Sequence, residues 1–326
     1  MNLKNKRILV TGGAGYIGSA LVPFLFQNGY SVRVLDNFLW GGESLLGVLH
    51  HPHLEIQKGD IRNPSDVTRA LEGIQAVIHL AAIVGDPACR KEESLATATN
   101  LEASVRLLTE ARRRGVERFV FASTCSNYGK MGNPDLFCDE TSELRPVSHY
   151  ARLKVDFEGH LLDSPESDTC CVALRFSTAY GLSPRMRFDL TINEFTRDAL
   201  LKRELVIFGE KFWRPYCHTT DLARACLFVL QADAKLVHKQ AFNVGDDGEN
   251  FQKQMIADLI VKEIPGVQIQ YVQQVDDPRD YRVSFQKIKS LGFLISRRLP
   301  DGIREIKQAL ENRIFVDPYA KKHANV

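Results

Sequence analysis

The sequence predicts an α/β protein, a doubly wound parallel sheet with a smaller C-terminal lobe. Three observations carry that expectation. Short β-rich runs alternate with amphipathic segments through the first half of the chain, the first run leads straight into a glycine-spaced turn, and the alternation breaks down after Phe176. Alternation of this kind implies parallel strands whose helical crossovers cover both faces of a sheet.

The strand candidates are Arg7–Val10, Ser31–Leu35, Leu54–Lys58, Ala76–Leu80, Arg118–Ala122 and Cys170–Arg175. Helical stretches fall between them. From Asn100 to Arg114, Leu101, Val105, Leu108 and Ala111 recur at helical spacing. That stretch ends in Arg112-Arg113-Arg114-Gly115, cations in the last turn followed by a glycine stop, so the arginines read as a solvated helix end and not as an anion site. Ser177 to Phe208 is polar and loop-rich, Asp221 to Leu230 is helical, and Ala241 to Val244 reads as one more strand. Beyond Gly245 come the helices and short strands of the smaller lobe. The expected division is interleaved: residues 1–176 with about 212–245 form the sheet domain, and 177–211 with 246–326 form the second lobe. The segment Tyr319–Val326 reads as a frayed basic tail.

Composition excludes several classes of function. Of 326 residues, 44% are hydrophobic and 25% charged, and the net charge of +2 with both signs interspersed gives no nucleic-acid surface. No apolar run approaches the roughly 20 residues that span a bilayer. Met1 to Lys6 lead directly into a strand, which leaves no room for a signal peptide. Seven cysteines, odd in number and without a C-x-x-C pair, point to a reduced, cytoplasmic setting. His50, His51 and His53 bracket Pro52 in a loop without matching ligands elsewhere, and no metal site is expected.

Three motifs carry chemistry. Strand Arg7–Val10 runs into Thr11-Gly12-Gly13-Ala14-Gly15-Tyr16-Ile17-Gly18, a G-x-x-G-x-x-G spacing that opens a helix. Side chains there would block the turn, the approach of a pyrophosphate, or helix–sheet packing, while exposed N–H groups and the helix dipole bind the anion. The second strand ends in Asp36, where a carboxylate hydrogen-bonds ribose hydroxyls and repels a 2′-phosphate, favouring NAD over NADP. Next, Tyr150-Ala151-Arg152-Leu153-Lys154 places a phenol and an ammonium on one helix face. A phenol of pKa about 10 is a poor general base at neutral pH, and a nearby cation stabilises its anion. Third, Phe119-Val120-Phe121-Ala122-Ser123-Thr124-Cys125-Ser126-Asn127-Tyr128-Gly129 is a buried strand running into small hydroxyl residues at its C-terminal end, where α/β sheets place their sites. Thr124 is positioned to hold a reacting hydroxyl and share its proton with Tyr150, while Cys125 reads as a small packed hydrophobe.

Together these motifs resemble the extended short-chain dehydrogenase/reductase family, in its nucleotide-sugar epimerase and dehydratase branch. The matching pieces span nearly the whole chain: Gly12 to Gly18, Asp36-Asn37, Gly59-Asp60-Ile61, His79-Leu80-Ala81-Ala82, Asn100, Ser123-Thr124, Tyr150 with Lys154, Leu174-Arg175-Phe176, Arg214-Pro215-Tyr216-Cys217-His218, Asp221 and Phe242-Asn243-Val244-Gly245. The resemblance implies a Rossmann-type fold, NAD as cofactor, and Thr124, Tyr150 and Lys154 as catalytic residues. It implies that NAD is held by Gly12, Gly15, Tyr16, Ile17, Gly18, Asp36, Asn37, Asp60, Ile61, Leu80, Ala81, Ala82, Asn100, Ser123, Tyr150, Lys154 and Phe176. It places Cys125, Ser126, Thr178, Asn193, Phe208 and Arg214 against a nucleotide-diphosphate sugar, with Arg279 or Arg282 as a second phosphate clamp. His79 and His218 match positions that are structural in relatives.

Two departures bear on the reaction. Thr178 stands where relatives usually carry Asn, and Ser126 stands where sugar 4,6-dehydratases usually carry Glu. The resulting expectation is epimerisation at carbon 4 of a nucleotide sugar, with a 4-reductase or 4,6-dehydratase as alternatives and a non-catalytic dinucleotide-binding protein as the reading of another class. The family also implies a homodimer through the helices near Asn100–Arg114 and Tyr150–Leu162.

Overall fold

The computed structural model describes residues 6–130, 136–163, 168–272 and 279–325; Asp277 and Pro278 of the expected phosphate-clamp segment, and Val326 of the expected tail, are among those outside the description. The β-rich runs fold as strands, covered on both faces except at the edge strand Leu54–Lys58. Ile8, Leu9, Val10, Val32, Val34, Ala76, Val77 and Ile78 are fully buried, as parallel strands sealed by helices must be. Seven strands join in one sheet in the order Gln240–Val244, Cys170–Phe176, Arg118–Thr124, Ala76–His79, Arg7–Thr11, Ser31–Asp36, Leu54–Lys58. The pairings from Leu54–Lys58 across to Arg118–Thr124 are parallel. The strand order reverses at Arg7–Thr11, which lies between the second and fourth strands, and ligands of such sheets bind at the carboxyl ends beside that switch point. The expected strands recur with their ends moved by at most two residues.

By compactness the chain divides into two units, residues 1–124, 148–175 and 223–242 in one, and 125–147, 176–222 and 243–326 in the other. The first unit holds a core in which Leu9, Val77, Phe119, Phe121, Phe157 and Leu161 are buried together. The second has its own, built on Tyr180, Ile192, Phe195, Ile207, Tyr216, Ile256, Ile260, Leu299 and Ile303.

Three local expectations are corrected. The helix expected from Asn100 is α-helical only over Ala103–Arg113 and is preceded by a wider π turn at Ala98–Glu102. The cause is the Asn100 side chain, which donates to the Ile83 carbonyl and accepts from the Ile83 N–H, both at 2.8 Å. Such a bulge turns a side chain inward at the expense of one regular bond. The polar stretch 177–208 contains strand Thr178–Tyr180, helix Thr191–Leu201 and strand Glu204–Phe208. Its apolar stripe is interrupted by Asn193 and Arg197, which are themselves buried. The tail is docked and not frayed: His323 O accepts from Phe188 N at 2.8 Å, Ala324 O from Arg185 at 3.0 Å, and Phe315, His323 and Phe188 pack edge to face.

Beneath the sheet's carboxyl end lies a buried ion pair. Arg175 donates to Glu158 Oε1 through Nε at 2.9 Å and Nη2 at 2.6 Å, and Ser123 Oγ donates to Oε2 at 2.5 Å. Both charged side chains are almost fully enclosed, at 6% and 4% exposure. Removing one partner of such a pair leaves a buried charge unpaired. Glu158→Ala is therefore expected to destabilise the protein by about 3–5 kcal/mol in urea unfolding, and a loss under about 1 kcal/mol contradicts the assignment.

Candidate active site

The glycine-spaced loop is shaped by close approach. Gly12 has φ +73°, and a Cβ there would come within 2.8 Å of the Ala81 nitrogen. At Gly18 a Cβ would run into the Gly12 carbonyl and Gly13. Helix Gly18–Gln27 begins directly behind, with no side chain capping its N-terminus, which leaves its first N–H groups to a loop or an anion. Asp36 is drawn to the same place: Oδ2 accepts from Ala14 N at 2.9 Å and Oδ1 from Phe38 N at 2.8 Å. Burial pushes its carboxyl up, against the opposing pull of the Phe38 and Ala14 N–H groups. Gly12, Gly18, Asp36 and Ala81 thus converge at the switch point, and this cradle fits a dinucleotide.

Of the other residues expected at the cofactor, Tyr16, Ile61 and Phe176 are buried, and Gly15, Ile17, Leu80 and Ala82 are partly so. Asp60 is held below the usual carboxylate range by Arg62, which donates to it from Nε at 3.0 Å and Nη2 at 2.7 Å, and by the Asn37 amide.

The phenol and ammonium sit on helix His149–Leu162, which starts where Ser148 caps it by accepting from Ala151 N. That cap places Tyr150 in the first turn, where the helix dipole favours an anion. Tyr150 packs against the cluster of Cys89, Ala96 and Leu153. One turn on, Lys154 Nζ donates to Ala122 O at 2.7 Å and lies 5.8 Å from the centre of the Tyr150 ring. Ala122 belongs to the strand that ends in Thr124, so one hydrogen bond ties the ammonium to the strand bearing the hydroxyl. Burial pushes Lys154 down to about 8.

In the second unit, Cys125 and Ser126 lie in the turn Cys125–Tyr128. Thr178 faces Tyr216 in register. Asn193 is fully buried, accepting from Gly181 N at 2.9 Å and donating to Arg187 O at 2.8 Å. Phe208 is half-exposed at the end of its strand. Arg214 is buried with its guanidinium 5.3 Å from the centre of the Tyr281 ring. Arg282 is stacked between Phe137 and Trp213, and Arg279 lies three positions before it. His79, expected to be structural, bonds Thr11 and Ser104 at 2.7 and 2.9 Å, whereas Glu158 was not foreseen. Burial and then Lys154 push His79 down to about 3, so it stays neutral. The signal for Glu158 was its place four residues beyond Lys154, on the face that already carries Tyr150.

A family model for the NAD dependent epimerase/dehydratase family matches residues 8–245. UDP-glucuronic acid decarboxylase 4 of Arabidopsis thaliana is 28% identical over 332 residues, covering 97% of this chain and 72% of that one. A UDP-glucose 4-epimerase of Thermus thermophilus, solved in complex with NAD, is 26% identical with a TM-score of 0.81 over 94% of this chain and 99% of the other. A dTDP-glucose 4,6-dehydratase of Streptomyces venezuelae, also solved with NAD, is 28% identical with a TM-score of 0.81 over 94% and 98%. The chain therefore belongs to the NAD-dependent epimerase/dehydratase family, an α/β enzyme of the extended short-chain dehydrogenase type whose cofactor is NAD. Among the described residues, no helix is long and apolar enough to cross a membrane.

The buried ammonium has a measurable consequence. Its folded pKa of about 8 lies below the ordinary 10.5, so between these values the unfolded chain holds a proton that the folded one has released. Stability from this group is therefore lower below pH 8 and rises as pH climbs toward 10.5. In the absence of NAD, the unfolding free energy of the wild type relative to Lys154→Met should increase from about pH 7 to about pH 10.5 by on the order of 3 kcal/mol. A flat difference contradicts the lowered value.

Proposed function

We propose that the protein epimerises a nucleotide-diphosphate sugar at carbon 4 through a transient 4-keto sugar. The observation that carries this reading is the set Thr124, Tyr150 and Lys154, with Cys125 and Ser126, two side chains without a carboxylate, directly after Thr124. NAD, held by the Gly12–Gly18 loop, Asp36, Ala81 and Lys154, supplies the hydride acceptor and donor when bound. Thr124 orients the carbon 4 hydroxyl, and Tyr150 as phenolate accepts its proton. The ammonium of Lys154 and the helix N-terminus favour that anion. Holding the reacting groups in register is the protein's main contribution. Arg214 and Arg279 suit the diphosphate, since a guanidinium fork pairs its oxygens two at a time.

Dehydration at carbons 5 and 6 needs a base for a carbon-bound proton and an acid for the departing hydroxyl. A serine hydroxyl is far too weak a base for the first task. Asp86 and Asp189 are the carboxylates elsewhere in the chain that could substitute, and the second is committed to Arg187 at 2.6 and 3.0 Å and to Asn325 N at 3.2 Å. The decarboxylase and dehydratase relatives keep a second reading in view, in which the 4-keto sugar loses carbon dioxide or water. The reading also includes a homodimer on the faces of helices Ala103–Arg113 and His149–Leu162, and a reducing compartment, in keeping with seven buried free cysteines.

The test is a panel of nucleotide sugars incubated with the purified protein and examined by mass and NMR. An unchanged mass with an inverted carbon 4 is expected; loss of about 18 or about 44 mass units (one water or one carbon dioxide) overturns the reading in favour of the alternatives. Tyr150→Phe should lower turnover by ~100- to 10,000-fold while NAD remains bound, and a variant keeping over about a tenth of the wild-type rate removes Tyr150 from the role of base.

A further inference from the structure

Strand Trp213–His218 carries Arg214, and the segment Asp280–Tyr281 is laid along its start. Asp280 Oδ1 accepts from Trp213 N at 2.8 Å, and Tyr281 N donates to Trp213 O at 3.3 Å. The same carbonyl accepts from Arg214 Nη1 at 2.8 Å. One backbone carbonyl thus sets both the Tyr281 backbone and the Arg214 head, and the guanidinium carbon lies 5.3 Å from the centre of the tyrosine ring. The ring is 2% exposed and sits 6.3 Å from that of Tyr128. Its hydroxyl donates to Ser126 Oγ at 3.4 Å. The next residue, Arg282, goes elsewhere, stacked 4.1 Å from Phe137 and 4.6 Å from Trp213.

A guanidinium lying on an aromatic face loses rotational freedom but keeps its N–H groups at its edge, where they can meet phosphate oxygens. We infer that Tyr281 is a positioning residue for the substrate: its ring fixes the plane of Arg214 for the diphosphate, and its hydroxyl fixes Ser126. The inference rests on the proposed meeting of Arg214 with a nucleoside diphosphate. The ring and the hydroxyl then have separable jobs. Removing the ring weakens diphosphate binding, whereas removing the hydroxyl alone leaves it intact.

The test titrates UDP and dTDP calorimetrically into the NAD-loaded protein as wild type, Arg214→Met, Tyr281→Leu and Tyr281→Phe. Tyr281→Leu should bind roughly tenfold more weakly, and Tyr281→Phe should stay within about twofold of wild type. Arg214→Met should lose at least as much as Tyr281→Leu. Retained NAD reports that each variant is folded, and Tyr281→Met, of similar reach without a π face, replaces the leucine variant should that one not fold. Wild-type affinity in Tyr281→Leu beside weak binding in Arg214→Met overturns the inference and leaves the reading of Arg214 standing. Equal losses in Tyr281→Phe and Tyr281→Leu overturn the role of the ring. Wild-type affinity in Arg214→Met, or a wild type that binds neither nucleotide, removes the reading and the inference together.

Discussion

Lys154 keeps an ammonium group in the interior, donating to the Ala122 carbonyl at 2.7 Å, and much of the sheet-bearing unit answers what that burial requires. A buried cation is costly unless bonded and matched by an anion. The nearest carboxylate along its helix, Glu158, is already bound by Arg175 and Ser123. His79 is held neutral by burial and by Lys154 itself. In the proposed reaction that positive charge would face a phenolate at Tyr150, on the same helix. On that proposal, the stability given up at this position serves a base that works near neutrality.

The same economy of space governs the cofactor loop. Gly12 and Ala81 come from adjacent strands whose ends leave no volume for a side chain between them. Asp36 closes the second strand by accepting N–H groups from the loop and from its own turn, so the carboxylate expected to disfavour a 2′-phosphate also holds the loop in shape. In the second unit the corresponding part is played by aromatic rings. Arg214 and Arg282 both lie over aromatic rings, which restrains their guanidinium groups.

What the sequence made legible follows from the range of the forces involved. Strands buried on both faces announce themselves as continuous apolar runs, and the glycine spacing and the Tyr150–Lys154 pair are local patterns, so all were readable one residue at a time. The π turn at Ala98–Glu102 was not, because its periodicity resembles that of an α-helix and its cause, the bonds of Asn100 to Ile83, spans a loop. Helix Thr191–Leu201 was hidden by buried polar residues on its apolar face. The docking of His323 and Ala324 on Phe188 and Arg185, and of Tyr281 on Trp213, joins residues far apart in the chain, and no local pattern reports such contacts.

Hydride exchange confined to carbon 4 is the central claim, and isotope tracing addresses it most directly. An accepted nucleotide hexose carrying deuterium at carbon 4 is incubated in ordinary water, and its unlabelled counterpart in deuterium oxide. Transient oxidation at carbon 4 predicts an epimer that keeps its carbon 4 deuterium in the first case and takes up none at carbon in the second. Deuterium entering from solvent at carbon 5, or loss of the carbon 4 label without epimerisation, contradicts it.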